Sequence, residues 1–410
     1  MPNVRHAFVN PLADQVGFTG VKPSNWNAPL VFTDTSGNPS ANPAFFGFGG
    51  VTMLRDAAGA WHVYDPFGAA INTSGTTTQG LQEAINYAVA NIFCLYVYGG
   101  QQTNTGLVDA RITCTTPLSI PPTTHGVFIF RGVALWMTLA NPALDCLTFD
   151  SSDMLEFDFS GGQIVSTNGT AAVVRFMPTN PNSEDLTGMT SSRVRIATIV
   201  GNGSSSAACA RFTPGSNFIS NCRFDFEECN MGAVGILADD PGVANGFVYN
   251  RISCPFVHSQ GTASISVGAS STTGSRIQGN YWDLAVSGTA PTALSVWGYG
   301  DLFDIAIQGG GTNGIVWNSS ATLNLARNAI NFATNAVVDN ATLHNNIVVT
   351  PGFPNGAPVT FAHLPVSPTA GMVRAITDAS TNVWGATIAG GGGNVVLGFF
   401  DGTNWTVGAK

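Results

Sequence analysis

The chain has 410 residues, of which only 10% are charged, and its net charge is −9 with no run of Lys or Arg. A hydrophobic content of 44% argues against disorder, and the missing basic cluster argues against nucleic-acid binding through phosphate neutralisation. No stretch reaches the about eighteen apolar residues of a membrane helix. The first ten residues, MPNVRHAFVN, lack the apolar segment of a secretory signal.

The cysteines and histidines predict no metal site. The seven cysteines form no CxxC pair, and most fall within apolar runs. We therefore expect buried, reduced thiols in a protein made in a cytosol. The six histidines are scattered singly, which gives no metal-ligand spacing. No phosphate-binding loop, nucleophile elbow or zinc-protease motif occurs, so no cofactor is expected.

Two segments near residue 80 predict regular structure. Residues 51–65, VTMLRDAAGAWHVYD, predict a β-hairpin, because two strand-like runs flank Ala-Ala-Gly. Residues 79–91 predict a helix, since Leu81, Ile85 and Ala88 recur at helical spacing. The apolar run 92–98 ends at Gly-Gly and predicts a buried strand directly after that helix.

From about residue 150 to 350, a short strand, an Asn and another short strand recur. The recurring asparagines are 29, 30, 48 and 17 residues apart, and the gap of 48 contains one further strand, DLFDIAIQG (301–309). That gap therefore accommodates two turns of about 24 residues. We expect asparagines of successive turns to stack at the strand spacing of about 4.8 Å and to hydrogen-bond to one another. The expected ladder consists of Asn221, Asn250, Asn280, Asn328 and Asn345.

Residues 67–100, with a Gly-Ala turn, a helix and a strand ending in Gly-Gly, resemble the start of pectate-lyase-like right-handed parallel β-helices. Residues 116–135 continue that pattern with a strand, a Pro-rich corner and an Arg-Gly turn. The resemblance covers about residues 65–350. It implies an all-β fold, a right-handed parallel β-helix (solenoid) with an N-terminal capping helix and flanking small β domains. It implies no activity, because that fold hosts lyases, hydrolases and non-enzymes.

The two flanks resemble parts of phage tail proteins. VKPSNWNAPLVF (21–32) resembles an N-terminal segment of many tail fibre and tailspike proteins, and residues 373–407 resemble a small β domain that closes numerous phage and prophage tail proteins. Asp401-Gly402 predicts a hairpin turn there. The expected domains are 1–66, a virion-attachment segment with the β-hairpin; 67–350, the capping helix and β-helix; and 351–410, a Pro-rich linker and C-terminal β domain.

The candidate site lies in the central repeats. In NCRFDFEEC (221–229), strand alternation directs the cysteine and the phenylalanines inward and the charged residues outward. Carboxylates one or two turns apart would lie about 5 or about 10 Å apart, which brackets the spacings of retaining and inverting glycosidases. Aromatic rings beside them offer flat faces for sugars. The candidate catalytic residues are Asp225, Glu227 and Asp283, and the candidate glycan-binding residues are Arg223, Tyr249, Arg251, Tyr281, Trp282, Trp297 and Tyr299.

Simpler interpretations of the same residues remain open. The charged side chains near 223–251 could form only surface ion pairs, or a buried seam between subunits. Asp239-Asp240 precedes Pro-Gly and fits a plain turn better than an acidic pair. Residues 296–304, which include Asp301 and Asp304, fit either a sugar-binding loop or core and turn packing.

Taken together, the resemblances imply a tail fibre or spike protein that contacts the host surface as a homotrimer. Its N-terminal segment would attach to other tail or baseplate proteins. It would be made in the bacterial cytoplasm and carried in the virion tail. The expected function is binding of a host surface receptor, a glycan, without chemistry. The alternative is a polysaccharide depolymerase, a hydrolase or lyase, on the same β-helix. The low carboxylate density favours binding, and neither nucleic acid nor membrane insertion is expected.

Overall fold

The computed structural model describes residues 50–410 except 57–58, 100–109, 180–187, 216, 240–245, 269–275, 309–310, 328–329, 332–334, 350–357, 367 and 369. The segment 21–32 and much of the predicted linker lie outside these residues. Regular structure in the described part is almost entirely β, in strands numbered β1–β33 in chain order. The helical elements described are α1 (Leu81–Ala90) and the 3-10 turns Gly203–Ser205 and Phe361–His363. The fold is all-β, as predicted.

The largest sheet contains fifteen strands, and apart from the antiparallel pair β1–β2 the pairings between its neighbouring strands are parallel. Its strands are β1 (Gly50–Arg55), β2 (Trp61–Tyr64), β3 (Cys94–Tyr98), β4 (Ala110–Cys114), β7 (Val127–Arg131), β8 (Val133–Met137), β11 (Glu156–Ser166), β14 (Arg193–Val200), β17 (Arg223–Gly232), β20 (Arg251–Ser259), β23 (Tyr281–Val286), β25 (Leu302–Gln308), β27 (Leu325–Arg327), β28 (Ile330–Asn331) and β30 (Ile347–Val349).

Two further parallel sheets have nine and six strands. The nine-stranded sheet consists of β5 (Leu118–Ile120), β9 (Leu147–Phe149), β12 (Ala172–Phe176), β15 (Ala208–Phe212), β18 (Val234–Ala238), β21 (Ala263–Val267), β24 (Thr292–Val296), β26 (Asn313–Trp317) and β29 (Asn335–Asp339). The six-stranded sheet consists of β6 (Thr123–Thr124), β10 (Ser152–Asp153), β13 (Gly188–Thr190), β16 (Phe218–Ser220), β19 (Phe247–Val248) and β22 (Ile277–Gln278).

The chain visits the three sheets in a fixed rotation. From β11 to β23 it passes from the fifteen-stranded sheet to the nine-stranded sheet, then to the six-stranded sheet, and back. Each return places a strand in register beside the previous one, so side chains of equivalent position form columns. The buried column in the fifteen-stranded sheet contains Phe157, Val194, Phe224, Ile252, Trp282, Phe303 and Ala326.

Phenylalanines fill much of the interior. The ring of Phe176 stacks on Phe149 and on Phe212 with centroid separations of 4.8 and 4.9 Å, and Phe212 meets Phe224 edge-on at 4.7 Å. All four side chains are fully buried. Aromatic pairs at these separations add about 0.5–1.5 kcal/mol each beyond burial. The buried apolar side chains of the three parallel sheets therefore form one continuous core.

The predicted hairpin and helix are confirmed at the start of the described chain. Strands β1 and β2 pair antiparallel, and β1 also pairs in parallel with β3, so the hairpin extends the fifteen-stranded sheet. Helix α1 buries Leu81, Ala84, Ile85 and Ala88 in the same core as the sheets. The strand after it begins two residues later than predicted, because Ile92 occupies a left-handed turn and is 83% exposed.

The C-terminal part forms a small antiparallel sheet of three strands, β31 (Val373–Ala379), β32 (Asn394–Phe400) and β33 (Trp405–Ala409). It has a separate core around Ile376, Val396 and Trp405. The hairpin turn predicted at Asp401-Gly402 is confirmed, since the Asp401 N–H donates to the Asn404 carbonyl at 3.0 Å. This part is thus a small β domain.

An asparagine ladder runs along the corner between the six-stranded and fifteen-stranded sheets. Its predicted members Asn250 and Asn280 are confirmed, because the Asn250 Nδ2 donates to the Asn280 Oδ1 at 3.1 Å. The prediction for Asn221 is wrong: it occupies the left-handed corner position one residue before the ladder and is exposed. Asn328 lies outside the described residues, and Asn345 accepts from the Leu323 N–H beside the ladder. The remaining rungs are Asp301, Asn324 and Asn346.

Candidate functional site

The outward side chains of β14, β17, β20, β23, β25 and β27 define what we call the outer face. Because the strands pair in register, these side chains form two columns, each with about 4.8 Å between neighbours. The first column begins after the corner and contains Arg193, Arg223, Arg251, Tyr281, Leu302 and Leu325. The second column, two residues further along each strand, contains Arg195, Asp225, Ser253, Asp283, Asp304 and Arg327.

Asp225 is the anionic centre of the arginine-rich half of this face. Its carboxylate accepts from the Arg223 Nε at 2.8 Å, and it lies 3.5 Å from the Arg193 Nη2 and 4.0 Å from the Arg195 Nε. The surface ion-pair interpretation is therefore confirmed for Arg223 and Asp225. Asp225 therefore balances the charge of the neighbouring guanidinium groups, which favours a structural role for its carboxylate.

A second carboxylate of the same column is held by different groups. Both Asp304 oxygens accept from Arg327, at 2.7 and 2.6 Å, and one also accepts from the Tyr281 hydroxyl at 2.5 Å. Burial alone raises the pKa of Asp304, but the hydrogen bonds from Arg327 and Tyr281 outweigh it, so the pKa is lowered. The bond to Asp304 in turn raises the pKa of Tyr281. Asp304 is thus an ionised, oriented carboxylate beside a neutral phenol.

Asp283 and Asp304 occupy adjacent places in the second column, while Asp225 lies two strands from Asp283, with Ser253 between them. Carboxylates on neighbouring strands and on strands two apart are therefore both present, although the neighbouring pair uses Asp304, which the sequence suggested only as part of a loop. Glu227 is exposed on β17, and neither it nor Asp283 has an ion-pair partner among the residues that the structure describes.

Two tyrosines lie at the corner beside the first column. Tyr249 occupies the left-handed corner position at φ 57° and is 62% exposed. Its ring lies against Gly279, where an added Cβ would come within 2.9 Å of the ring atom Cε1. The Gly279 N–H donates to the carbonyl of Tyr299, whose side chain is 38% exposed. The absence of a side chain at Gly279 therefore leaves room for the Tyr249 ring at this corner, whereas Tyr299 is bridged to Gln278 of the six-stranded sheet.

Arg251 lies between the corner and the sheet. Its guanidinium carbon is 5.2 Å from the centroid of the Tyr281 ring, within cation–π range. Tyr249 precedes Arg251 by two residues, and its ring lies against Gly279, which precedes Tyr281 by two residues. Both side chains therefore extend towards the same neighbouring chain segment, 279–281. In the described part of the chain no carboxylate lies within ion-pair distance of Arg251. The structure thus places Arg223, Tyr249, Arg251 and Tyr281 of the predicted set on or beside the outer face, while Tyr299 is bridged to Gln278 of the six-stranded sheet.

Two predicted glycan-binding residues do not lie on this face. Trp282 is 0% exposed and stacks on Phe303 inside the core, because it follows outward-facing Tyr281 by one residue and strand alternation turns it inward. Trp297 follows β24 in the nine-stranded sheet, where its backbone N–H donates to the Val267 carbonyl. Placing Trp282 and Trp297 in the sugar site was therefore wrong.

The acidic residues suggested near 239 and 301 have structural partners. Asp239 accepts from Arg211 at 2.8 Å and from Thr213 at 2.6 Å, away from the outer face, while its neighbour 240 lies outside the described residues. Asp301 is a ladder rung with 1% exposure, and burial raises its pKa to about 7. A buried rung cannot reach a sugar, so the loop interpretation is wrong for Asp301.

Within the described ranges, no group of three or more His, Cys, Asp or Glu side chains could hold a metal ion. In the same ranges, no helix has the length and apolarity needed to cross a membrane. A comparison of the chain with protein-family models, with curated proteins and with solved structures finds no match in any of the three. The outer face and its corner are therefore interpreted from their own chemistry.

Proposed function

We propose that the three parallel sheets form the faces of one right-handed parallel β-helix whose first turn is covered by helix α1. The fixed rotation among the sheets and the in-register columns support this arrangement. Connections between parallel strands of one sheet are right-handed in almost all proteins. The buried face of α1 contacts β1, β3 and β5, the strands at the start of two sheets, as a cap would.

On this scaffold, the chain acts as a receptor-binding protein of a phage or prophage tail. It assembles as a homotrimer, attaches to other tail or baseplate proteins through its N-terminal segment, and binds a host surface glycan. The assignment to a tail rests on the resemblance of residues 21–32 and 373–407 to tail proteins. Glycan binding rests on one observation: at the edge of the outer face, the exposed Tyr249 ring lies against Gly279, and the exposed Arg251 guanidinium lies over the Tyr281 ring.

The physical argument for glycan binding concerns what these side chains offer at the surface. Tyrosine presents a large, rigid apolar face with a hydroxyl for hydrogen bonding and loses little rotamer entropy on binding. Tyr249 leaves most of its side chain in water. A pyranose ring has an apolar face and a rim of hydroxyl groups, and this combination matches a phenol ring beside a guanidinium group.

Adsorption to purified bacterial surface polysaccharides tests this proposal. Tyr249→Ala should lower adsorption about tenfold, since one ring-stacking contact contributes about 1–1.5 kcal/mol. Met154→Ala is the matched control, because Met154 also occupies a left-handed corner position and is 52% exposed, three strands away. Equal adsorption by the unmodified protein and Tyr249→Ala would show that the corner at Tyr249 is not part of the binding surface.

A depolymerase is the second candidate function, and the pair Asp283 and Asp304 favours it. Adjacent places in one column are about 4.8 Å apart, close to the about 5–5.5 Å between the carboxyl groups of retaining glycosidases. Asp304 is held ionised, as a nucleophile must be. A general acid also needs a raised pKa. Asp301 has one, but it is buried in the ladder and unable to serve.

Released reducing ends separate the two candidates. If the outer face only binds, the unmodified protein releases none from a polysaccharide to which it adsorbs. If it cleaves, Asp283→Asn and Asp304→Asn each abolish release, whereas Asp225→Asn, which removes an ion-pair centre two strands away, leaves measurable release. Release that persists in both variants of the pair would exclude Asp283 and Asp304 as the catalytic carboxylates.

A further inference from the structure

The first column of the outer face places three arginines next to one another. Arg193 pairs in register with Arg223, and Arg223 with Arg251, so three guanidinium groups project from neighbouring strands about 4.8 Å apart. Like charges directly opposite on neighbouring strands destabilise a sheet. The chain has only 15 Lys and Arg in 410 residues and a net charge of −9, so this grouping does not reflect an excess of cations.

The counter-charge for this column is unevenly distributed. Asp225 binds Arg223 at 2.8 Å and lies 3.5 Å from Arg193. On the strand of Arg251, the corresponding second-column residue is Ser253, which carries no charge. The Arg251 guanidinium carbon lies 5.2 Å from the centroid of the Tyr281 ring. Among the described residues, Arg251 is thus an exposed cation without a carboxylate partner.

The surroundings of Arg251 fit a sugar that carries a negative charge. The ring of Tyr281 lies at cation–π distance from the guanidinium group, and the Arg251 side chain is exposed. The exposed ring of Tyr249 lies at the corner two residues earlier and offers a stacking surface for the sugar itself. A guanidinium group binds a carboxylate through two parallel hydrogen bonds, which are stronger than neutral ones.

We propose that Arg251 binds the carboxylate of an acidic sugar, a uronic or sialic-type acid, in the surface polysaccharide that the outer face recognises. This inference rests on the proposed function and specifies its ligand class. The carboxylate supplies the counter-charge that Asp225 supplies to Arg223. The sugar ring packs on Tyr249, so charge and ring are recognised by neighbouring groups of one corner.

The test uses an array of purified bacterial capsular polysaccharides and lipopolysaccharides, each printed in native and carboxyl-reduced form, with phosphate-bearing neutral glycans included. The full-length protein should bind at least one acidic polysaccharide about tenfold or more tightly than its reduced form. Arg251→Gln should abolish that preference. Arg111→Gln is the matched control, because Arg111 is also exposed and lies 4.1 Å from an aromatic ring, that of Trp136, on β4. It should change binding less than twofold.

The outcomes distinguish this inference from the proposed function. Equal binding of native and reduced forms, or equal binding by Arg251→Gln, would overturn the role of Arg251 while leaving glycan binding intact. Binding confined to phosphate-bearing glycans would overturn the carboxylate assignment in the same way. Binding to nothing on the array would overturn the proposed function itself. Unchanged thermal unfolding of Arg251→Gln would show that the variant is folded, as expected for an exposed side chain.

Discussion

Replacing Asp301 by Asn should stabilise the protein by an amount that increases with pH. At the preceding rung, the Asn280 Nδ2 donates both to the next rung and to the carbonyl of Phe247. Asp301 accepts from the N–H and the Nδ2 of Asn280 through its Oδ1, at 2.7 and 3.0 Å. Its Oδ2, which occupies the place of an Nδ2, is buried without a hydrogen-bond partner among the described residues. An Asn there would supply the missing donor.

The size of the effect follows from the pKa of the carboxyl group. Burial raises the pKa of Asp301 from 3.8 to about 7. Between about pH 4 and pH 7, the unfolded chain is ionised while the folded protein keeps the proton, so stability falls as pH rises through this window. Three pKa units at 1.36 kcal/mol each give about 4 kcal/mol. Because Asp301 is 1% exposed, solvent screening does not reduce this value. Asn has no charge to lose, so the variant lacks this penalty.

Urea unfolding of the unmodified protein and Asp301→Asn at pH 4, 5, 6, 7 and 8 measures the difference directly. We expect the variant's advantage to be smallest at pH 4, to grow to about 4 kcal/mol near pH 7 and then to level off. Asp304→Asn is the control of opposite sign, because hydrogen bonds lower the pKa of Asp304 and its loss should destabilise at neutral pH. If the difference in free energy of unfolding between the unmodified protein and Asp301→Asn stayed constant from pH 4 to 8, the inference that Asp301 carries a proton in the folded protein would be wrong.

Three further outcomes are expected. Trp282→Ala should lower the free energy of unfolding by about 3–5 kcal/mol by leaving a cavity, and a loss of glycan adsorption without loss of stability would contradict its buried position. Ile85→Asp should cause aggregation measurable by light scattering, because it places a charge under α1, whereas Asn86→Asp on the exposed side should not. Light scattering of the unmodified protein should give about 128 kDa, three times the 42.6 kDa chain, and a stable monomer would exclude the trimer.

Strand alternation made the central part of the outer face predictable. The phenylalanines Phe224 and Phe226 define which side of β17 is buried, so Arg223, Asp225 and Glu227 had to face outward, and they do. The same rule, applied to Tyr281 and Trp282, would have separated these two neighbours. They were grouped because both are aromatic. Only the register of Trp282 with Ile252 and Phe303 shows which of the two belongs to the core.

The ladder was predictable in kind but not in register. Asn suits both the left-handed corner and the buried rung that follows it, since it tolerates positive φ and also hydrogen-bonds through its amide. Sequence alone therefore could not separate Asn221, which is a corner residue, from Asn250, which is a rung. Asp301 was not foreseen as a rung because an isolated buried carboxylate is unfavourable. Its raised pKa removes that objection, since the group is neutral below about pH 7.

Stability and recognition in this protein are carried by different columns of the same strands. Trp282 and Asp301 belong to buried columns, where each residue packs on or hydrogen-bonds to the residue at the equivalent position of the neighbouring strand or corner. Arg251 and Tyr249 are exposed and make few contacts with other side chains, so their replacement leaves the buried columns intact. In the double variant Arg251→Gln with Asp301→Asn, the free energy of unfolding should therefore change as in Asp301→Asn alone, and acidic-glycan binding as in Arg251→Gln alone. If adding Asp301→Asn restored acidic-glycan binding to Arg251→Gln, the stability of the ladder and the binding at the corner would be coupled.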